Sequence, residues 1–335
     1  MNKDDIAGIF QRFNHLKALI VGDVMIDSYV WGSVDRISPE APVPVIRVRK
    51  KEIRLGGAAN VALNVQSLGA TPIICSVIGD DSDGEALLDL LKGSGISSEG
   101  IVRSDYRITT NKERYMSGSQ HLLRVDNEVD KDLNPREQEE LLERIRSLVP
   151  ACDVVIFQDY DKGALNPEII AKTVAYARER NLPVVVDPKK KNFLDYKDVT
   201  LFKPNLKEIR EGLKIDFDPT DEAQLRGAVN LLKERLRAEM ALLTLSDKGV
   251  YIDDGKEKTH IPAHVRAVSD VSGAGDTVIS IAALCVALRL PTRFLAELSN
   301  LGGGLVCEYV GVVPVNRDAL FAEAVKHLTR GEQER

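Results

Sequence analysis

The chain has 335 residues, of which 44% are hydrophobic and 29% charged, a composition that indicates a globular protein and excludes extensive disorder. Its net charge of −6 argues against a nucleic-acid-binding protein, which usually carries a basic patch. The four cysteines are scattered and form no C-x-x-C pair, which favours reduced thiols. The N-terminus has no signal-peptide apolar region, and no apolar run approaches the ~20 residues of a membrane helix. We therefore expect a cytoplasmic protein that binds neither nucleic acid nor membrane.

Short apolar runs typical of buried strands alternate with segments of helical periodicity along most of the chain. The predicted strands lie at residues 18–22, 73–77, 154–157, 184–187 and 242–245. The predicted helices lie at residues 58–67, 84–91, 136–148, 168–180, 274–288, 293–306 and 318–328. This alternation indicates β-α-β units around a parallel sheet. We predict one continuous α/β domain over residues 1–335, rather than two independent domains.

Two segments, residues 28–54 and 108–125, break this rhythm because polar and apolar residues alternate within them. Alternation of this kind is typical of strands that expose one face to solvent. We predict that both segments form antiparallel strands outside the main sheet. Together they would make a small β lid inserted within the domain.

A glycine-rich stretch, Ser272-Gly273-Ala274-Gly275-Asp276, precedes an apolar helix near the C-terminus. Small residues let the amides at a helix start converge on an anion, and the helix dipole assists. Such a nest would stabilise a phosphoryl group in transfer, and Asp276 beside it could accept the proton of an attacking hydroxyl. The alternative is a flexible turn followed by an Asp near a helix N-terminus. The chain has neither a Walker phosphate loop nor the glycine fingerprint of dinucleotide-binding proteins.

The N-terminal part offers a second polar group. Asp23 follows the first predicted strand, Asp27 lies four residues later, and Gly56-Gly57-Ala58-Ala59-Asn60 opens a helix. Ligands in open α/β sheets bind at the carboxyl ends of strands, where carboxylates and an amide suit the hydroxyls of a sugar. Alternatively, the two aspartates are turn residues and the glycines allow a close helix–strand contact.

Together these two motifs, in this order and spacing, resemble the ribokinase or PfkB family of carbohydrate kinases over nearly the whole chain. The resemblance implies a three-layer α/β/α sandwich with a mostly parallel central sheet and a β lid. It also implies ATP-dependent phosphorylation of a sugar hydroxyl, with Asp276 as the base. The anion hole would consist of Gly273, Ala274 and Gly275. The sugar would contact Asp23, Asp27, Gly56, Gly57 and Asn60.

The resemblance extends to the nucleotide and cation side of the site. Asn205 and Glu208 match a family motif that helps to hold Mg²⁺ through waters, although the same pair would also cap a helix. Asp270 matches a ligand for a monovalent cation such as K⁺ in some relatives, but Val271 replaces the usual Thr. Ser246 stands where many relatives have Gly, which puts a close approach of the backbone to ATP in doubt. The expected ATP-side residues are Asn205, Thr244, Ser246, Gly249, Gly273, Gly275 and Asn300.

A narrower resemblance, to the heptose-7-phosphate kinase branch, rests on residues 22–29, 36–44, 159–163, 187–189 and 270–273. Those enzymes phosphorylate the anomeric O1 of D-glycero-β-D-manno-heptose 7-phosphate on the way to ADP-heptose and lipopolysaccharide. Some carry a C-terminal nucleotidylyltransferase domain, and this chain resembles the stand-alone kinase. The 7-phosphate needs cationic partners, although each of the following could instead be a solvated surface charge. The candidates are Arg36, Arg124, Lys162 and Lys189.

Other functions remain open at this stage. A kinase for a hexose phosphate would need the same motifs, and a sugar-phosphate sensor without turnover would need the fold but not Asp276. A dehydrogenase of the same class would need the missing glycine fingerprint. Relatives often pair through their lids, which covers exposed strand edges. The alternating residues 45–49 fit such pairing, so we expect a homodimer.

Overall fold

The structure is a computed structural model that describes residues 1–118, 120–264 and 266–329. In chain order the strands are β1 (Lys17–Gly22), β2 (Val24–Ile37), β3 (Pro44–Gly57), β4 (Thr71–Gly79), β5 (Gly100–Ser104), β6 (Asn111–Ser117), β7 (Gln120–Asn127), β8 (Val154–Gln158), β9 (Val184–Asp187), β10 (Leu201–Phe202), β11 (Met240–Thr244), β12 (Val250–Asp253) and β13 (Lys258–Ile261). The helices are α1 (Lys3–Phe13), α2 (Ala58–Ser67), α3 (Ser82–Gly93), α4 (Pro135–Leu148), α5 (Pro167–Arg178), α6 (Leu206–Leu213), α7 (Glu222–Leu236), α8 (Ala274–Ala287), α9 (Thr292–Val306) and α10 (Arg317–Leu328).

A nine-stranded sheet with the order β13-β12-β11-β10-β9-β8-β1-β4-β5 forms the centre of the fold. From β5 to β11 all neighbours are parallel, and β12 and β13 add an antiparallel edge. Side chains alternate between two apolar cores, as the period of a strand requires. Ala18 and Ile20 of β1 belong to one core, and Leu19 and Val21 belong to the other. The predicted three-layer α/β/α architecture with a mostly parallel sheet is confirmed.

Helices cover both faces of this sheet. Helices α1, α2, α3, α8, α9 and α10 supply the core on one face, and α4, α5, α6 and α7 supply the core on the other. Helix α8 is buried along its whole length from Asp276 to Val286, since it packs between the sheet and α9. Within the described part of the chain, no helix is both long and apolar enough to cross a bilayer.

A second sheet of four strands, in the order β3-β2-β6-β7, stands apart from the main sheet; we call it the lid sheet. β2–β3 and β6–β7 are antiparallel hairpins, as expected, but β2 and β6 run parallel. The expectation of antiparallel strands is therefore wrong at this junction. β2 follows β1 and β6 follows β5, and β1 and β5 run in the same direction. Both hairpins therefore leave the main sheet in the same direction, which makes β2 and β6 parallel. Ser119, in the second predicted segment, lies outside the described residues.

The lid sheet begins closer to the main sheet than the sequence suggests. Only Asp23 separates β1 from β2, so the chain passes almost directly from one sheet into the other. The first residues of β2, from Val24 to Val30, are buried, whereas its far end is exposed. Polar side chains at the carboxyl ends of the main-sheet strands therefore lie beneath the near end of the lid sheet.

Candidate active site

The start of α8 is glycine-rich, and the amide of Ala274, its first residue, donates a long hydrogen bond of 3.3 Å to the Val271 carbonyl oxygen. The N-cap is Gly273, in the left-handed region at φ 80°, and no side chain caps the helix. Glycine is the residue that adopts this conformation without strain. A Cβ on Gly275 would lie 3.6 Å from Lys203 Nζ and from Asp187 Oδ2, so a buried ion pair flanks this turn. Uncapped amides and a helix dipole beside a lysine suit an anion.

Asp276, in the first turn of α8, is buried and accepts hydrogen bonds from three neutral side chains. Asn60 Nδ2 donates to Oδ2 at 2.6 Å. Tyr160 Oη and Gln158 Nε2 donate to Oδ1 at 2.7 and 3.1 Å. Burial raises the pKa of Asp276 to about 6, although the bonds from Asn60 and Tyr160 oppose this rise. A carboxylate with such a pKa is ionised at neutral pH and still basic enough to take a proton.

The Asn60–Asp276 hydrogen bond joins the two motifs that the sequence singles out. Helix α2 positions Asn60, and the glycines before it allow α2 to start close to the lid strands. Gly57 has φ 58°, and a Cβ there would come within 2.3 Å of the Asp23 carbonyl oxygen. A Cβ on Gly56 would come within 2.1 Å of Asp27 Oδ2. The glycines thus allow the close helix–strand contact that was one of the two alternatives.

Asp23 holds the loop that follows β8. Its carboxylate accepts backbone amides from Tyr160 at 2.8 Å, Lys162 at 3.1 Å and Ala164 at 3.0 Å. Burial, followed by the nearby Asp159, raises its pKa to about 6. The structure therefore gives Asp23 a definite task in shaping the cleft, in addition to the sugar contact expected from the sequence.

Asp27 lies on β2 beneath the lid sheet and pairs with an arginine that the sequence analysis missed. Arg114 of β6 donates from Nη1 to Asp27 Oδ1 at 2.5 Å, and both side chains are largely buried. Across the β6–β7 ladder, Arg114 faces Arg124. Paired residues of this kind share one face of a sheet. Arg124 is exposed, and its guanidinium makes a two-point contact with Asp126.

Lys162 joins the same group of charges. Its Nζ donates to Glu128 at 2.8 Å, and Lys112 of β6 donates to the same carboxylate at 2.9 Å. Lys112 also reaches Asp126 at 3.3 Å. We call this group the lid charge cluster. Its cations are Lys112, Arg114, Arg124 and Lys162, and its anions are Asp27, Asp126 and Glu128.

Arg36 and Lys189 lie elsewhere. Arg36 is exposed near the far end of β2, nine residues beyond Asp27, which is roughly 30 Å along an extended strand. The structure therefore does not bring Arg36 to the cleft of its own chain. Lys189 lies 2.5 Å from Glu208, and its Nζ stands over the Tyr160 ring, 5.5 Å from the centroid. Lys189 thus lies beside Glu208 and Tyr160, and its ion pair is not with a carboxylate of the lid charge cluster.

The predicted nucleotide and metal side lies along the strand ends from β10 to β13. Asn205 and Glu208 form a capping box at the start of α6, which is the structural alternative for this pair. Asn205 also bridges to Thr244 at the end of β11. Ser246 takes up φ 58°, a conformation that favours the glycine found in many relatives, and Gly249 has φ 87°. Asn300 Nδ2 donates to the Pro262 carbonyl oxygen at 2.8 Å.

Asp270 precedes the glycine-rich turn, and both oxygens of its carboxylate accept hydrogen bonds. Ser272 donates to Oδ1 from its amide at 2.9 Å and from its hydroxyl at 2.8 Å. The amide of Gly311 donates to Oδ2 at 2.9 Å. Val271 between them is exposed. Asp270 therefore ties the glycine-rich turn to the loop between α9 and α10.

Several site residues received no role from the sequence. Gln158 is the last residue of β8 and Asp187 is the last residue of β9. The rule that ligands bind at the carboxyl ends of parallel strands would have selected both. Lys203 follows β10 and pairs with Asp187 at 3.0 Å in a fully buried contact. The missed residues are Gln158, Tyr160, Asp187, Lys203 and Arg114.

Residues 16–318 match the family described as pfkB family carbohydrate kinase. The chain belongs to this family. The family is defined by ATP-dependent sugar kinases, which use a divalent metal with the nucleotide. In the described residues, no group of three or more His, Cys, Asp or Glu is placed to hold a metal. This is compatible with a divalent cation carried by nucleotide phosphates, which needs only one or two protein carboxylates.

Curated relatives of this pfkB kinase are longer than the chain. The chain is 36% identical over 323 residues to the bifunctional protein HldE of Trichlorobacter lovleyi. The aligned region covers 96% of this chain and 65% of the relative. The chain is 39% identical over 293 residues to the bifunctional protein HldE of Wolinella succinogenes. The aligned region covers 88% of this chain and 61% of the relative. The chain thus spans less than two thirds of these proteins.

Solved structures share the fold at low sequence identity. Phosphofructokinase-2 from Escherichia coli in complex with potassium superposes with a TM-score of 0.77 at 17% identity, covering 94% of this chain and 99% of the other. Arabidopsis thaliana ribokinase complexed with ribose and ATP has a TM-score of 0.70 at 16% identity, covering 91% and 98%. These likenesses support the fold.

Proposed function

We propose that this pfkB kinase transfers the γ-phosphoryl group of ATP to the anomeric O1 of D-glycero-β-D-manno-heptose 7-phosphate. The observation that carries the phosphoryl transfer is the buried Asp276, with its pKa near 6, in the first turn of an uncapped helix. The choice of sugar rests on the similarity to HldE proteins and on the motifs shared with heptose-7-phosphate kinases.

In this mechanism Asp276 accepts the O1 proton as O1 forms a bond to the γ-phosphorus. The bond from that phosphorus to the bridging oxygen breaks, and ADP leaves with the electron pair. The amides from Gly273 to Gly275 stabilise the charge that spreads over the transferred oxygens. Asn60, Gln158 and Tyr160 hold the carboxylate in one orientation. Closure of the lid sheet would exclude water and so prevent hydrolysis of ATP.

The lid charge cluster is the proposed site for the 7-phosphate of the sugar. It holds four cations against three carboxylates. An arriving phosphate can replace Asp126 and Glu128 as the partner of Arg124 and Lys162. Arginine suits this task because its guanidinium matches phosphate oxygens in a two-point contact. Because the chain has a net negative charge, it does not attract a phosphate as a whole, and binding of the phosphate depends on such a local group of cations.

Asn205 and Glu208 are the proposed residues on the Mg²⁺ side, acting through waters. When bound, Mg²⁺ would neutralise charge on the phosphates. Glu208 already contacts Lys189, so the carboxylate, the lysine and the Tyr160 ring form a continuous path toward Asp276. This arrangement suits Lys189 better to the transferred or leaving phosphates than to the phosphate of the sugar.

The dimer expected from the sequence remains a proposal with structural support. The large exposed apolar side chains on the lid sheet and its β2–β3 turn are Ile37, Val43, Val48, Ile53, Leu123 and Val125. Apolar groups concentrated on one element mark an association surface. Pairing of two lid sheets would cover them and would also bring Arg36 close to a second copy. A monomeric mass at micromolar concentration would contradict this proposal.

The deciding experiment is a substrate panel with ADP release as the readout. We expect heptose 7-phosphate to exceed fructose 6-phosphate, tagatose 6-phosphate and ribose in kcat/KM by about a hundredfold or more, since ribose has no phosphate for the lid charge cluster and a 6-phosphate, one carbon nearer to the ring, would misplace the reacting hydroxyl. If a hexose phosphate has the highest kcat/KM instead, the chain is a hexose-phosphate kinase. No ADP release with any sugar, while sugar phosphates still bind, would identify a sensor.

Asp276→Asn tests the mechanism separately from the choice of sugar. We expect turnover to fall by about two to four orders of magnitude with nearly unchanged ATP binding, because only proton transfer is lost. Asp89→Asn, which changes an exposed aspartate of α3 outside the proposed site, serves as the control and should keep wild-type turnover. Near-normal turnover of Asp276→Asn would overturn the assignment of the base.

A further inference from the structure

The loop between α9 and α10 connects the lid sheet to the start of α8. On the lid side, the buried Tyr29 hydroxyl accepts the amide of Val312 at 3.2 Å. Arg54 of β3 donates from Nη1 to the carbonyl oxygens of Val312 at 3.2 Å and Val310 at 3.5 Å. Residues 310–312 are therefore held by one tyrosine and one arginine of the lid sheet.

The other side of the same loop contacts the glycine-rich turn. The amide of Gly311 donates to Asp270, whose second oxygen accepts Ser272. A Cβ on Gly273 would lie 3.5 Å from Val312 Cγ1. Residues 310–312 thus lie against Asp270 and beside the N-cap of α8, where the proposed anion hole begins.

Arg54 is built into this position. Its Nε donates to Glu52 at 2.6 Å, and its guanidinium lies over the Tyr29 ring, 5.0 Å from the centroid. Gly311 leaves room for it, because a Cβ there would approach Arg54 Nη1 to 3.0 Å and the Tyr29 hydroxyl to 2.9 Å. A side chain held by an ion pair, a ring and two carbonyl contacts has a single orientation.

These residues do not fit a bare monovalent cation beside Asp270. Such an ion binds where oxygen atoms lack hydrogen-bond donors. Here both Asp270 oxygens accept donors from Ser272 and Gly311. The carbonyl oxygens on either side of Gly311 face the Arg54 guanidinium, which carries a permanent positive charge and would repel a second cation.

We propose that Arg54 is a positioning residue that supplies, from the lid sheet, the positive charge that holds residues 310–312 against Asp270, so that catalysis requires no monovalent cation. The catalytic part of this inference rests on the proposed kinase function, whereas the holding of the loop does not. Because Arg54 stands opposite Asp27 in the β2–β3 ladder, the same strand pair contacts both the sugar side and the anion hole.

The first test compares ADP release in K⁺ buffer with release in tetramethylammonium buffer. Wild-type kcat should agree within about twofold. Arg54→Ala should lose about tenfold or more in kcat, since hydrogen bonds to a charged group are lost. Arg54→Lys should recover part of this, and so should guanidinium ion added to Arg54→Ala at tens of millimolar, far below denaturing concentrations. Arg47→Ala is the control, since Arg47 is an exposed arginine of the same strand.

The second readout is hydrogen exchange of the peptide that contains Gly311, which needs no turnover. Exchange should be faster in Arg54→Ala than in the wild type or Arg47→Ala, and guanidinium should slow it again. Wild-type activity that requires K⁺, or exchange and kcat that are the same in both alanine variants, would overturn the proposal. A protein that turns over no sugar but shows the exchange difference would refute the proposed function while supporting the role of Arg54 in the loop.

Discussion

Removing the Tyr160 hydroxyl should move the acid limb of the pH–rate profile. Tyr160 is one of three donors to Asp276, and burial raises its own pKa well above the usual value, so it stays protonated. A hydrogen bond to a charged group contributes about 1.5–3 kcal/mol, and one pH unit corresponds to about 1.4 kcal/mol. Tyr160→Phe should therefore raise the pKa of Asp276 from about 6 by roughly one to two units.

The sign follows from the role of the carboxylate. A base works only when ionised, so activity is lost as the pH falls through its pKa. In the wild type kcat/KM should rise about tenfold per pH unit up to about pH 6 and then level off. In Tyr160→Phe the plateau should begin near pH 7 to 8, roughly one to two units higher, and reach a similar height.

A matched control removes a different buried tyrosine–aspartate hydrogen bond. Tyr196 donates to Asp159 at 2.6 Å, so Tyr196→Phe disturbs a neighbouring carboxylate and leaves Asp276 untouched. Its acid limb should stay near pH 6. The measurement is kcat/KM from ADP release between about pH 5 and 9, corrected for folded protein. An unmoved limb in folded Tyr160→Phe, or an equal shift in both variants, would refute the reasoning.

Two further predictions separate stability from turnover. Asp23→Ala should lower the free energy of unfolding by about 3 kcal/mol or more in urea titrations, because three backbone amides lose their acceptor. Asp23→Asn should lower it less. Equal stabilities of the wild type and Asp23→Ala would contradict the role of this carboxylate in holding the loop. Gly275→Ala should keep the melting temperature of the wild type, since its Cβ would lie at an ordinary 3.6 Å from Lys203 and Asp187. It should reduce kcat by about tenfold or more, because the methyl group narrows the proposed anion site. An unchanged kcat would mean that phosphoryl transfer takes place elsewhere.

Much of the fold could be predicted because the buried elements are periodic. The helix predicted at residues 58–67 and the strand at 184–187 match α2 and β9. β10 has only two residues, too few for any periodic signal, so the prediction omitted it. Nor could the sequence show that β2 and β6 run parallel, since strand partners depend on where each hairpin leaves the main sheet.

The site was predictable in its motifs and less so in its pairings. Asn60 and Asp276 stand out because glycines surround them, whereas Arg114 is one of 45 basic residues and has no local signature. Its importance comes from a long-range contact with Asp27. For Asn205 and Glu208 the sequence left a capping pair and a metal pair open, and the structure shows the capping box. One pair can serve both purposes, since a cap fixes the direction of its side chains.

The hydrogen bond between Asn60 and Asp276 can form only late in the synthesis of this chain. These residues are 216 positions apart, so a ribosome that adds about 5–20 residues per second needs on the order of 10–40 seconds to supply the second after the first. Gln158 and Tyr160 are added partway through that interval, and all three donors then lack their acceptor until Asp276, 116 residues after Tyr160, is added. A truncated product that ends before α8 would lack both the base and three helices of one apolar core, so neither the site nor that face of the sheet would form.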